Sequence, residues 1–106
     1  MNDTKYGLRK EVICEINNVL ARCTRVESAI LYGSRAKGTF HNGSDIDLAL
    51  KGQGLTLQDL LKIKLELEEL NMPYSFDICI LEQITNQDLA EHIDRVGVVF
   101  YERESV

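Results

Sequence analysis

The chain lacks the features that mark membrane, secreted or nucleic-acid-binding proteins. It has no tryptophan, one proline, and 12 Lys and Arg residues against 17 Asp and Glu, for a net charge of -5. The shortage of basic residues argues against a large phosphate-tracking surface for DNA or RNA. No run of about 18 apolar residues predicts a membrane span, and the N-terminus lacks a basic-then-apolar signal peptide. We therefore expect a cytoplasmic protein with neither a membrane nor a nucleic acid as its partner.

Cysteines are few as well. Cys14, Cys23 and Cys79 are odd in number and form no CxxC motif, so the sequence suggests neither a disulfide framework nor a zinc site. We interpret Cys14 and Cys79 as small residues of the core. A chain of 106 residues is the size of one small domain, so we expect residues 1–106 to form a single unit.

Hydrophobic periodicity predicts an alternation of helices and strands. A first amphipathic helix has apolar positions from Leu8 to Leu20 and ends before Thr24. Strands are predicted at residues 26–32, 45–51 and 74–81, a second helix within residues 55–71, and a third helix that Gly97 ends. Residues 98–103 form an extended tail or an edge strand. This order indicates a two-layer α/β domain.

Two similar signals predict where the second and third helices begin. Thr56 is followed three residues later by Asp59, and Thr85 is followed three residues later by Asp88. Each pair is a weaker form of the capping box, in which a hydroxyl side chain accepts a hydrogen bond from the first turn of the helix. We therefore expect Thr56 and Thr85 to be the N-cap residues.

The second helix has more apolar positions than one buried stripe requires. This surplus marks a contact surface for a partner, unless all of these side chains pack inside the domain. The residues concerned are Leu57, Leu60, Leu61, Ile63, Leu65, Leu67 and Leu70.

Three aspartates interrupt two otherwise apolar strands. Asp45 and Asp47 share one strand face, about 6 to 7 Å apart, and Asp77 lies on another strand. A single aspartate there would be the polar face of an exposed strand, but three like charges repel one another unless a cation lies between them. Mg²⁺ binds carboxylate oxygens and leaves room for a substrate phosphate. The aspartates are therefore candidate magnesium ligands.

A glycine-serine turn lies directly before the aspartates. A strand that ends at Gly33-Ser34 and enters a helical turn presents backbone N–H groups and a hydroxyl, which suits an anion. Arg35 or Lys37 would add positive charge. The alternatives are an ordinary tight turn and a P-loop, but the segment from Gly33 to Thr39 has no lysine in the P-loop position.

The spacing of these residues resembles that of a known family. Gly33-Ser34, ten residues, then Asp45-Ile46-Asp47 is similar to the G-S-x10-D-x-D motif of the minimal nucleotidyltransferases in the DNA polymerase β superfamily. Asp77 stands where that pattern expects its third carboxylate. The resemblance extends from the first helix to residue 103 and implies a mixed sheet of three or four strands packed against helices.

The resemblance also implies roles for individual residues. Asp45 and Asp47 would ligate one or two Mg²⁺ ions that hold a nucleoside triphosphate, and Gly33 and Ser34 would contact its phosphates, with added charge from Arg35. Asp77 would help to bind the catalytic metal and activate an acceptor hydroxyl for attack on the α-phosphorus.

Within the superfamily, the chain most resembles the antitoxin of a toxin–antitoxin pair whose toxin is a HEPN-domain ribonuclease. Such enzymes transfer AMP from ATP to a tyrosine of the toxin. Two other interpretations stay open: an inactive binding module that neutralises its partner by contact, and a transferase that acts on a small molecule such as an aminoglycoside. A homodimer is also compatible with the sequence.

Overall fold

A mixed β-sheet lies at the centre of the computed structural model, which describes residues 4–41 and 43–104. The sheet has the strand order β5-β4-β3-β6; β3 is antiparallel to β4 and β6, and β4 is parallel to β5. This confirms the predicted mixed sheet, and residues 98–102 form an edge strand. The strands are β1 (Thr4–Lys5), β2 (Leu8–Arg9), β3 (Ser28–Tyr32), β4 (Ile46–Lys51), β5 (Phe76–Ile80) and β6 (Val98–Glu102).

Helices cover the two faces of this sheet unequally. The helices are α1 (Lys10–Arg22), α2 (Ser34–Lys37), α3 (Leu57–Glu68) and α4 (Gln87–Val96), and a 3₁₀ turn spans Leu81–Gln83. Helices α1 and α3 pack on one face and form the main core, and α4 packs on the other face in a smaller cluster. In the described parts of the chain, no helix is long and apolar enough to span a bilayer.

The period-two alternation of β4 fixes which side chains face each layer. Ile46, Leu48 and Leu50 are fully buried beneath α1 and α3. The intervening residues Asp47 and Ala49 therefore point to the face that carries α4. This arrangement puts the apolar half of the strand in the main core and the aspartate on the less covered face.

Helix α3 divides its apolar side chains between the core and the surface. Ile63 and Leu67 are 2% and 0% exposed. Leu57, Leu61 and Leu65 are 64%, 53% and 61% exposed, and because they recur every four residues they form one outward-facing stripe. The interpretation that all of these side chains pack inside is therefore wrong, and the use of the stripe as a contact surface stays a prediction.

The N-terminal prediction needs two corrections. Leu8 belongs to the two-residue strand β2, which pairs with β1, and α1 begins only at Lys10. Cys14 is exposed, so its assignment to the core is wrong, whereas Cys79 is half-buried in the cluster beneath α4. A hairpin of two-residue strands is too short to show period-two alternation.

The predicted N-cap is right for α3 and wrong for α4. Thr56 and Asp59 form the complete capping box, with hydrogen bonds in both directions. The N-cap of α4 is Asn86, whose side chain accepts a hydrogen bond from the Leu89 N–H. Asparagine is as good an N-cap as threonine or better, so the residue directly after Thr85 competes successfully for the role.

The Asn86 cap predicts different losses of stability for two neighbouring substitutions. Asn86→Ala removes the acceptor for the Leu89 N–H and should lower the free energy of unfolding by about 1 kcal/mol. Thr85→Ala, the matched control, should change it by less than about 0.5 kcal/mol. Urea unfolding followed by circular dichroism measures both values; a larger loss in the Thr85 variant would contradict the assignment.

Candidate active site

The sheet brings two of the three aspartates side by side. Asp47 is in register with Tyr32 on β3 and with Asp77 on β5. Neighbouring strands lie about 4.8 Å apart, and residues in register point to the same face. Asp47 and Asp77 therefore project together on the face that carries α4, and Asp45 lies one residue before β4.

Asp47 lies in the least favourable environment of the three carboxylates. It is half-buried, whereas Asp45 and Asp77 are exposed. Burial raises the pKa of Asp47 above its ordinary value, and the nearby carboxylates of Asp77 and Asp45 raise it further, while His92 and Arg35 act in the opposite direction. Burial and the two neighbouring carboxylates therefore destabilise the charged form of Asp47, and a shared cation would relieve the repulsion among the carboxylates.

This donor set fits a hard divalent cation. Within residues 4–41 and 43–104, no three His, Cys, Asp or Glu side chains converge closely enough to enclose an ion by themselves. Carboxylate oxygens on one sheet face are nevertheless the ligand type of Mg²⁺, which completes its shell with water and substrate phosphate oxygens. The repulsion of Asp47 by Asp77 and Asp45, which adds to the effect of burial on its pKa, is the interaction that such a cation would relieve.

The glycine-serine turn lies against Asp47. Gly33 has φ +76° and ψ -156°, a conformation that only glycine adopts readily, and Ser34 begins α2. A Cβ atom at Gly33 would overlap with the Oδ2 atom of Asp47. The first backbone N–H groups of α2 have no carbonyl of the preceding helical turn to which they could donate a hydrogen bond. The structure thus brings the predicted phosphate turn and the predicted metal ligand into contact.

Arg35 has a different environment from the one expected of a phosphate ligand. Its side chain is 2% exposed and donates hydrogen bonds to the carbonyl oxygens of Ser44 (2.9 and 3.1 Å) and Tyr6 (2.9 Å). The guanidinium lies over the rings of Phe40 and Tyr74. Arg35 therefore anchors the loop that leads into Asp45, and its binding to a nucleotide stays a prediction.

His92 also contacts the glycine-serine turn, although no motif in the sequence assigned it a role. Its Nε2 atom accepts a hydrogen bond from the Gly33 N–H at 3.3 Å. The two residues are 59 positions apart, and His92 is next to the apolar stripe of α4, where no short motif distinguishes it. Only the packing of α4 on the sheet brings it to the turn.

A partly buried pair, Tyr32 and Cys79, lies on the same face of the sheet as Asp47 and Asp77. The Tyr32 hydroxyl is 3.6 Å from the Sγ atom of Cys79. Burial raises the pKa of both groups, and the nearby aspartates raise both values further. Both side chains therefore stay neutral at ordinary pH, so neither is poised to act as a nucleophile.

The class of this protein follows from its match to a family model. The chain belongs to the polymerase beta nucleotidyltransferase family, because the model of that family matches residues 14–106. No curated protein is significantly similar to the chain in sequence.

Solved structures share the fold at low sequence identity. A chain from the crystal structure of a toxin–antitoxin with AMP-PNP is 20% identical, with a TM-score of 0.66, over 87% of this chain and 74% of its own. A chain from a mutant of the toxin–antitoxin MntA-HpeT is 16% identical, with a TM-score of 0.69 and the same coverage. A chain from the complex of a tri-AMPylated Shewanella oneidensis HEPN toxin with MNT antitoxin is 15% identical, with a TM-score of 0.62, over 89% and 72%.

The contact between Gly33 and Asp47 predicts a large effect of one methyl group. Gly33→Ala should lower the free energy of unfolding by about 3 kcal/mol or more, because the backbone conformation is strained for alanine and the methyl group meets a carboxylate. Gly38→Ala is the matched control: Gly38 also has a positive φ, but a Cβ atom there has open space, so the loss should be about 1 kcal/mol. Equal losses in urea unfolding would contradict the crowding at Gly33.

The raised pKa of Asp47 predicts how its neutral substitute depends on pH. The folded chain holds the proton of Asp47 more tightly than the unfolded chain does. As the pH rises from the ordinary value of 3.8 through the raised pKa, ionisation of Asp47 therefore reduces the stability of the folded state. In metal-free buffer, Asp47→Asn should be as stable as the wild type or slightly more stable at neutral pH, and the difference should vanish below pH 3.8.

Urea unfolding at neutral pH and in acid measures this difference. Asp94→Asn, which changes an exposed aspartate of α4, controls for the loss of one negative charge. A large loss of stability in Asp47→Asn at neutral pH would mean that the carboxylate is structural.

Proposed function

We propose that the chain is a Mg²⁺-dependent nucleotidyltransferase that transfers AMP from ATP to a protein hydroxyl. The proposed acceptor is a tyrosine of a HEPN-domain toxin, for which the chain is the antitoxin. Membership of the polymerase beta nucleotidyltransferase family supports the class of reaction. The fold that the chain shares with a component of a complex between a tri-AMPylated HEPN toxin and MNT antitoxin supports the choice of partner.

One arrangement carries the proposal: Asp47 lies between the Gly33 turn and Asp77, where β3 ends and β4 and β5 begin. A nucleotidyltransferase needs a binding site for the leaving phosphates, and beside it carboxylates that bind a cation and a carboxylate that acts as the base. The turn suits the first requirement and the aspartates suit the second.

Each residue has a proposed part in holding the nucleotide. Asp45, Asp47 and Asp77 would hold Mg²⁺. The ion would supply the positive charge that a triphosphate needs beside these three aspartates. Ser34 contacts the β- and γ-phosphates. Gly33, whose N–H is donated to His92, contacts them through the close approach that its lack of a side chain permits. Arg35 contributes through its backbone N–H at the start of α2, since its guanidinium is engaged by the carbonyl oxygens of Ser44 and Tyr6.

Asp77 is the proposed general base. Its carboxylate accepts the proton of the acceptor hydroxyl while the hydroxyl oxygen forms a bond to the α-phosphorus. The bond from the α-phosphorus to the oxygen that bridges to the β-phosphate breaks at the same time, and pyrophosphate leaves. The exposure of Asp77 supports this role, because the acceptor must reach it from solvent.

A macromolecular acceptor suits the accessibility of the site. Asp45 and Asp77 are exposed, and among the described helices only α4 packs on their face of the sheet. A tyrosine presented by a partner protein can approach such a site, whereas a small acceptor would need walls of its own. We further propose that residues 1–106 act as one nucleotidyltransferase domain in the cytoplasm, and homodimerisation is compatible with this account.

Transfer of a radioactive label tests the proposal directly. The purified chain is incubated with Mg²⁺, ATP labelled at the α-phosphorus, and a HEPN-domain protein encoded beside the gene for this chain. Label should appear on that protein, and Asp77→Asn should reduce the rate of labelling at least about 100-fold, because general base catalysis contributes 10²–10⁴-fold. Asp88→Asn, an exposed aspartate at the start of α4, is the matched control and should label at the wild-type rate.

The same experiment separates the alternatives. A stable complex that carries no label would favour an inactive antitoxin that neutralises its partner by contact. Label on an aminoglycoside but on no protein would favour a small-molecule transferase.

A further inference from the structure

Helix α4 is linked to the proposed phosphate turn by one side chain. The Nε2 atom of His92 accepts the Gly33 N–H at 3.3 Å, and the imidazole is partly buried. Across residues 4–41 and 43–104, no other side-chain hydrogen bond joins α4 to a different element of the fold. Ile93, Leu89 and Val96 of α4 pack in an apolar cluster with residues of the sheet.

The ring of Tyr32 restrains the imidazole of His92. The rings of His92 and Tyr32 meet edge to face, with centroids 6.2 Å apart and planes at 83°. Tyr32 is 7% exposed and is fixed in turn by the Sγ atom of Cys79 at 3.6 Å. Packing therefore fixes the position of the His92 Nε2 atom, which accepts the Gly33 N–H.

The hydrogen bond restrains the most adaptable residue of the turn. Glycine has the widest choice of backbone conformations, so Gly33 loses more freedom than any other residue when it adopts a single one. Its conformation sets both the distance to Asp47 and the direction in which α2 leaves β3. An acceptor fixed on α4 selects the orientation of the Gly33 peptide before any ligand arrives.

We propose that His92 is a positioning residue for nucleotide binding, which acts by holding the Gly33 peptide in the orientation that presents the Ser34 turn beside Asp47. This inference rests on the proposed function, because it assigns the turn to the phosphates of a nucleotide. His92 acts through Gly33 and touches neither the acceptor nor the reacting phosphorus.

Two variants separate the acceptor from the bulk of the side chain. His92→Leu keeps an apolar body against Tyr32 and removes the acceptor. His92→Gln keeps a side-chain oxygen that can accept the Gly33 N–H. Glu91→Gln, at an exposed neighbouring position on α4, is the matched control.

The first readout is the Gly33 amide in nitrogen-15 NMR spectra of the protein without nucleotide. His92→Leu should accelerate its hydrogen exchange, whereas His92→Gln and Glu91→Gln should leave it protected. The second readout is calorimetric titration with ATP in the presence of Mg²⁺. Affinity should fall about five- to tenfold in His92→Leu, which corresponds to one neutral hydrogen bond, and should recover in His92→Gln.

Each outcome decides the inference. Unchanged exchange of the Gly33 amide in His92→Leu, or wild-type affinity for Mg²⁺ and ATP in that variant, would overturn it. If His92→Leu does not fold, a folded His92→Gln variant with wild-type affinity supports the inference and one with lost affinity overturns it. Failure of the wild type to bind ATP with Mg²⁺ would overturn the proposed function and this inference together, whereas equal binding by wild type and His92→Leu removes the inference alone.

Discussion

The pairing of β4 with β5 is the constraint on which the candidate site depends. This register sets Asp47 beside Asp77 although the two carboxylates repel each other. A slip of one residue would turn the buried side chains of β4 away from α1 and α3 and onto the less covered face that carries α4. The apolar face of the strand thus fixes the position of the charged face, and burial in the main core offsets the cost of the carboxylates.

Side chains distant in sequence complete the arrangement. Arg35 ties the loop before Asp45 to the N-terminal hairpin through backbone carbonyls, and His92 ties the Gly33 turn to α4. Both side chains form hydrogen bonds with backbone atoms of these loops. They therefore restrain the loops without covering the carboxylates. The carboxylates stay accessible because α4 covers only part of their face.

Features that depend on local pattern could be predicted from the sequence, and features that depend on packing could not. Alternation in β4 predicted which face carries Asp47, and the threonine-aspartate pair predicted the start of α3. The buried state of Arg35 depends on Tyr6, Ser44 and two aromatic rings that no short window contains. Cys14 lies on the exposed side of α1, where helical phase decides burial and residue type does not.

The proposed function requires Asp45, Asp47 and Asp77 to bind a divalent cation together with a nucleotide. Paramagnetic broadening locates such a cation: Mn²⁺ replaces Mg²⁺ in trace amounts in a nitrogen-15 NMR sample that contains ATP. The amide signals of Ser34, Asp47 and Asp77 should broaden first, and excess Mg²⁺ should restore them. Broadening that begins instead at the acidic C-terminal end of α3, around Glu68 and Glu69, would contradict a cation site at these aspartates.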